Sequence, residues 1–108
     1  MKQYTTPEQT SKLIELGFEK PKSEVKAEQA GDCVWCNPAY SIGELISLLP
    51  KSIKVNGLFF TLCLYPSSGY WVIEYDDIAF GTQARLCKDE LIDALFTEIV
   101  MLKEEGVI

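Results

Sequence analysis

Four cysteines and no histidine set the limits on the chemistry this chain can do. Cys33-Val34-Trp35-Cys36 has the spacing of half a zinc site. Such a site needs four ligands, usually as two Cys or Cys/His pairs, and Cys63 and Cys87 stand singly. A thioredoxin-like dithiol would open a helix whose N-terminus stabilises the thiolate, and Asn37-Pro38 directly after Cys36 opposes a helix there. The pair therefore reads as two loop cysteines without a shared role. Cys63, inside an apolar strand, reads as a small buried hydrophobe. Glu74, Asp76 and Asp77 could offer a divalent-cation site or paired acid/base carboxylates. With no second acidic strand and no histidine to partner them, they read instead as a strand end running into solvent. The lack of histidine excludes His-dependent triads, and neither a glycine-rich phosphate loop nor a nucleophile elbow occurs. No catalytic residue and no cofactor is expected.

The elements that must position these residues centre on Lys51 to Asp76, which reads as a three-stranded antiparallel meander. Asn56-Gly57 is a two-residue type I′ hairpin signal. It pairs Val55 with Leu58 and Ile53 with Phe60. Pro66-Ser67-Ser68-Gly69 reads as a four-residue loop, pairing Tyr65 with Tyr70, Leu64 with Trp71, Leu62 with Ile73 and Phe60 with Tyr75. Alternation then places Ile53, Val55, Leu58, Phe60, Leu62, Leu64, Trp71, Ile73 and Tyr75 on one uncharged face. The other face carries Ser52, Lys54, Phe59, Thr61, Cys63, Tyr65, Tyr70, Val72 and Glu74. Helix one, helix two or the Cys33 loop could cover this mixed face. Alternatively Phe59, Tyr65, Tyr70 and Val72 form a patch that binds another chain.

Thr6-Pro7-Glu8-Gln9 begins a short helix through a capping box with proline at the first helical position, and Gly17 stops it with Phe18 set against Leu13. Lys20 to Ala30 has no apolar face and reads as a surface loop. Cys33 to Trp35 reads as a short extended piece able to join the sheet edge. Ser41 and Glu44 cap a second helix from Ile42 to Pro50, with Tyr40 placed to staple on Leu45. Asp77 to Leu86 admits either a short strand or an early helix start at Thr82. Lys88 to Glu105 is the long helix, with Asp89 and Glu90 in its first turn, Gly106 as its stop and Val107 set on Leu102. Its apolar positions cover more than the stripe that docks a helix on one surface, which implies a second contact surface.

At 108 residues the chain is a single domain, residues 1 to 108. A 47% hydrophobic and 24% charged composition is that of a soluble globule, and no apolar run approaches the roughly 20 residues of a bilayer span. Without a secretory leader in MKQYTTPEQT, a cytoplasmic protein with reduced thiols is expected. The net charge is −6, and no basic cluster stands outside the evenly mixed N-terminal third, which disfavours nucleic acid.

The stretches YTTPEQTSKLIELGFEKP, YSIGELISLLP, YWVIEY and LIDALFTEIVMLKEEGVI together resemble a group of small uncharacterised proteins of Bacteroides-type gut bacteria and their prophages. The resemblance implies association with mobile elements and no activity for any residue; Cys33 and Cys36 lie outside it. The fold expected is α+β: a three- to four-stranded antiparallel meander with a long C-terminal helix on one face and two short N-terminal helices. The function expected is that of a non-enzymatic accessory protein. It would act through a protein partner or self-association, without nucleic acid or membrane, at the back of the sheet or the excess apolar side of the last helix. The alternative is a small metal- or ligand-binding protein using Cys33, Cys36, Cys63 and Cys87.

Overall fold

The computed structural model describes residues 2–30 and 33–108, with side chains except those of 26–30, 33–36, 83 and 84. The protein is α+β. In chain order it runs α1 (Pro7–Glu15), β1 (Glu24–Ala30), β2 (Cys33–Pro38), α2 (Ile42–Leu48), β3 (Ser52–Val55), β4 (Leu58–Ser67), β5 (Tyr70–Asp77), β6 (Gly81–Lys88) and α3 (Leu91–Glu104). Strands β3-β4-β5-β6 form an antiparallel meander, and β1-β2 form a separate two-stranded sheet.

Asn56 and Gly57 turn the first hairpin with φ of 52° and 82°, and Val55 faces Leu58 as Ile53 faces Phe60. The second hairpin corrects the expected loop. Its turn is only Ser68-Gly69, with φ of 50° and 85°, and Ser67 pairs with Tyr70, Leu64 with Ile73 and Leu62 with Tyr75. Positive φ at both central residues is the type I′ geometry that matches strand twist, so the chain prolongs both strands instead of opening a four-residue loop. Pro66 tolerates this. It pairs with Trp71, one step from the hydrogen-bonded pair that closes the turn, so its nitrogen points away from β5 to an edge that β3 does not reach.

The register differs from the expected one by two residues, and a shift of two leaves every side chain on its own face. Ile53, Phe60, Ile73 and Tyr75 are buried in the main core, with Val55, Leu58, Leu62, Leu64 and Trp71 packed against it.

Helix α3 begins at Leu91, not Lys88, because β6 keeps pairing to Lys88 opposite Trp71; Asp89 and Glu90 form the link and Asp93 is the acid of the first turn. Leu91, Ile92, Ala94, Leu95, Ile99 and Leu102 are buried. The second surface that the helix requires is met within the chain: α3 packs against α2 on one side and β5 and β6 on the other. Met101 is left exposed on the helix.

Both N-caps form as capping boxes, Thr6 with Gln9 and Ser41 with Glu44. Phe18 N donates to Leu13 O and Gly17 N to Ile14 O, while Val107 N donates to Leu102 O and Gly106 N to Lys103 O, so both predicted Schellman ends are present. Asp93 Oδ1 accepts from Gln9 Nε2 and from Lys2 Nζ, each at 2.8 Å, fixing the start of α1 on α3.

Lys20 to Ala30 is not simply a loop. Glu24–Ala30 is β1, which pairs with β2, so β2 joins a hairpin of its own and not the edge of the main sheet. Glu24–Ala30 carries no apolar rhythm in the sequence to announce a strand.

Candidate functional site

The back of the sheet carries most of the residues singled out above. Helices α1 and α2 do not cover it: Leu13, Leu45 and Leu49 are buried in the same core as the opposite, apolar face. Its centre is closed by its own side chains. Val72 is 1% exposed, set between Tyr65 and Cys87 on the neighbouring strands. Tyr65 Oη donates to Glu74 Oε1, and Thr82 Oγ1 lies 3.4 Å from Glu74 Oε2. Arg85 Nε stands 3.9 Å from that oxygen, so a carboxylate on a buried residue is met from three sides. The Tyr65 phenol is raised above its ordinary value, first by this bond and then by burial.

The expected aromatic patch is thereby divided. Val72 is out of reach and Tyr65 is half-buried and engaged, which leaves Phe59 (61% exposed) and Tyr70 (54% exposed). Tyr70 is paired with Ser67 at one end of β4, and Phe59 sits eight residues away towards the other, a separation of about 25 Å along a strand.

What the sequence reading missed lies at the Phe59 end. Thr61 pairs with Asp76, so the same register carried past the end of β5 sets Phe59 level with Ile78. Ile78 is fully exposed and Phe80 is 63% exposed, both in the turn between β5 and β6. Asp77 Oδ1 accepts from Ala79 N at 2.8 Å and Phe80 N at 3.0 Å, holding the turn that presents them. The usable signal was an Asp four residues before a glycine, a local side-chain turn ahead of a positive-φ residue. Gly81 does have φ of 77°.

Beside these side chains is a hollow of about 440 Å³ lined by Thr61, Cys63, Asp76, Asp77 and Ile78. Asp76 Oδ1 is buried and has no hydrogen-bond partner among the described residues. Lys54 Nζ lies 5.6 Å from the centre of the Phe59 ring, a cation–π contact at the rim. Apolar groups beside an acidic floor suit a partner with a basic residue next to an apolar one.

Cys63 is half-buried on this mixed face and not in the core. Burial first, then Asp76 and Glu74, raise its pKa. It is therefore a poor nucleophile, because the thiolate is the reactive form. Cys87 is exposed. Cys63 pairs with Glu74 and Cys87 with Val72, two strands and two residues apart, about 10 Å across and 7 Å along the sheet. Two thiolates on one zinc cannot stand farther apart than about 4.6 Å, twice the Zn–S bond. The four-cysteine site thus fails at this pair while the sheet is intact. The side chains of Cys33 and Cys36 lie outside the described residues. Among the described residues no three of Cys, Asp and Glu are gathered as metal ligands, and no helix is long and apolar enough to cross a membrane.

No family model, curated protein or solved structure matches this chain.

Proposed function

We propose that this chain is a small accessory protein without catalytic activity, which binds another protein through the Phe59, Ile78 and Phe80 end of its back face. One observation carries the reading: Ile78, fully exposed, lines an acidic hollow, and Phe59 and Phe80 are exposed at the same end of the strands. Clustered apolar exposure of this kind has no use in a monomer's own stability and is typical of interaction sites. The floor acids select a partner segment bearing Lys or Arg beside an apolar residue. A second copy would bring one acidic hollow against another, so a different protein is favoured over self-association.

The likeness to proteins of Bacteroides-type bacteria and their prophages, itself part of the proposal, indicates the lysate to use. Capture from such cells is run in parallel with the wild-type chain and an Ile78→Lys/Phe80→Ser variant. A protein held by the first, lost by the second and released by moderate salt supports the reading. The same proteins on both, or association of the chain only with itself by light scattering, contradicts it.

A further inference from the structure

On the opposite side of the sheet, a second cavity of about 240 Å³ opens between β3 and the C-terminal half of α3, lined by Ile53, Val55, Leu102, Val107, Glu98 and Glu105 among others. Glu98 is 4% exposed and lies on the inward stripe of α3, three residues after Leu95 and four before Leu102, where every other inward position is apolar. Among the described residues it has no ion pair and no hydrogen bond that would favour its charged form. We propose that this cavity binds a small primary alkylammonium ion, its charged group on the Glu98 carboxylate and its chain along Ile53, Val55 and Val107.

A buried carboxylate must be paired or neutralised, since an unpaired charge in an apolar setting is costly. Burial, and then the nearby Glu105 charge, hold the Glu98 carboxyl above its ordinary value. Among apolar walls an ammonium ion is the group that can pair with this carboxylate. The groups facing Glu98 supply no competing cation. Glu105 of α3 lines the same cavity, and the Tyr75 phenol of β5, whose pKa the Glu98 charge helps raise, gives its hydrogen to Pro50 O at 2.9 Å. Lys54 of β3 lies over Phe59 on the other side of the sheet, and Lys103 of α3 lies 5.4 Å over the Phe18 ring. The C-terminal end of α3 adds its own negative pole. An anion is rejected by two carboxylates, and a metal ion finds too few ligands among apolar walls. The volume lies below the 300 Å³ or so at which drug-sized pockets begin, which fits a short chain. This inference is independent of the protein contact proposed for the back face.

The test titrates the full chain with n-butylammonium, following side-chain methyl resonances and the Glu98 carboxyl carbon by NMR. n-Butanol and butyrate serve as uncharged and anionic controls. Saturable shifts at Ile53, Val55, Leu102 and Val107, a fall in the Glu98 pKa on binding, and about tenfold or more weakening in Glu98→Gln are expected. Butanol acting as well as butylammonium, no saturable shift in the wild-type chain, or undiminished binding by Glu98→Gln overturns the proposal. The wild-type titration decides alone if the variant does not fold.

Discussion

The Tyr75 phenol of β5 feels the charge of Glu98 on α3, yet it gives its hydrogen to Pro50 O at 2.9 Å. Burial, then the Glu98 charge, push the Tyr75 pKa up to about 12, and Glu98 is itself raised from its ordinary 4.5. A carboxyl raised on folding binds its proton more tightly in the folded chain. Its stabilising contribution is complete below 4.5 and is lost as pH rises through the folded value. Glu98→Gln should therefore gain stability over wild type at neutral pH and show little gain in acid. Urea unfolding of both chains across that range checks the sign.

Glu44 behaves in the opposite sense. Burial alone would raise its carboxyl, but bonds from Ser23 Oγ, Lys22 N, Ser41 N and Ser41 Oγ together outweigh burial and lower it. The stability it supplies is present above its unfolded value and is lost as pH falls through the lower folded value. Glu44→Gln can keep the box as Gln9 does at Thr6, but it gives up the charge-assisted bonds from residues 22 and 23, so it should lower stability at neutral pH, and by less in acid. Thermal melts at the two pH values measure this.

Ser68 sits at φ 50°, where serine is less at ease than asparagine. Ser68→Asn should raise stability by a few tenths of a kcal/mol. Gly69→Ala, at φ 85°, should lower it by about 1 kcal/mol. Chemical denaturation of the pair tests the two-residue turn; equal effects of opposite substitutions would contradict it.

Removing the Tyr65 hydroxyl leaves Glu74 Oε1 without its donor on a residue 8% exposed. Tyr65→Phe should lower stability, read as a fall in the urea midpoint.

Ile78→Lys and Phe80→Ser change side chains that contribute almost nothing to the core. Each should leave unfolding free energy within about 0.5 kcal/mol of wild type. A larger loss by denaturant titration would mean that the exposed cluster is structural.

Much of the scaffold is legible in the sequence because its signals are local. Asn56-Gly57, the Thr6 and Ser41 boxes and the two glycine stops each name a backbone geometry that only a few residues satisfy. Phe60 and Trp71 fall on one face even with the second turn misjudged, since period-two alternation survives a shift of two. Strand β1 was hidden because its partner is β2 alone and no apolar face marks it. The extra strand β6 was equivocal because Gly81 and Thr82, which begin it, serve equally well as breakers. Of the three exposed apolar side chains at the candidate site only Phe59 was foreseen, though Asp76 and Asp77 had been singled out as acids. Ile78 and Phe80 are apolar residues in a turn, where hydrophobicity says nothing of exposure until the fold is known. Glu98 carried a readable signal, a charge in line with Leu95 and Leu102, that the helix's broad apolar surface obscured.

The contact proposed for the back face is tested most directly by amide hydrogen exchange on the chain with and without its captured partner. Added protection is predicted at 59–61 and 76–82, with α2 and the β1-β2 hairpin unchanged. Protection confined to α2 or to that hairpin, with 76–82 exchanging as in the free chain, would contradict the account.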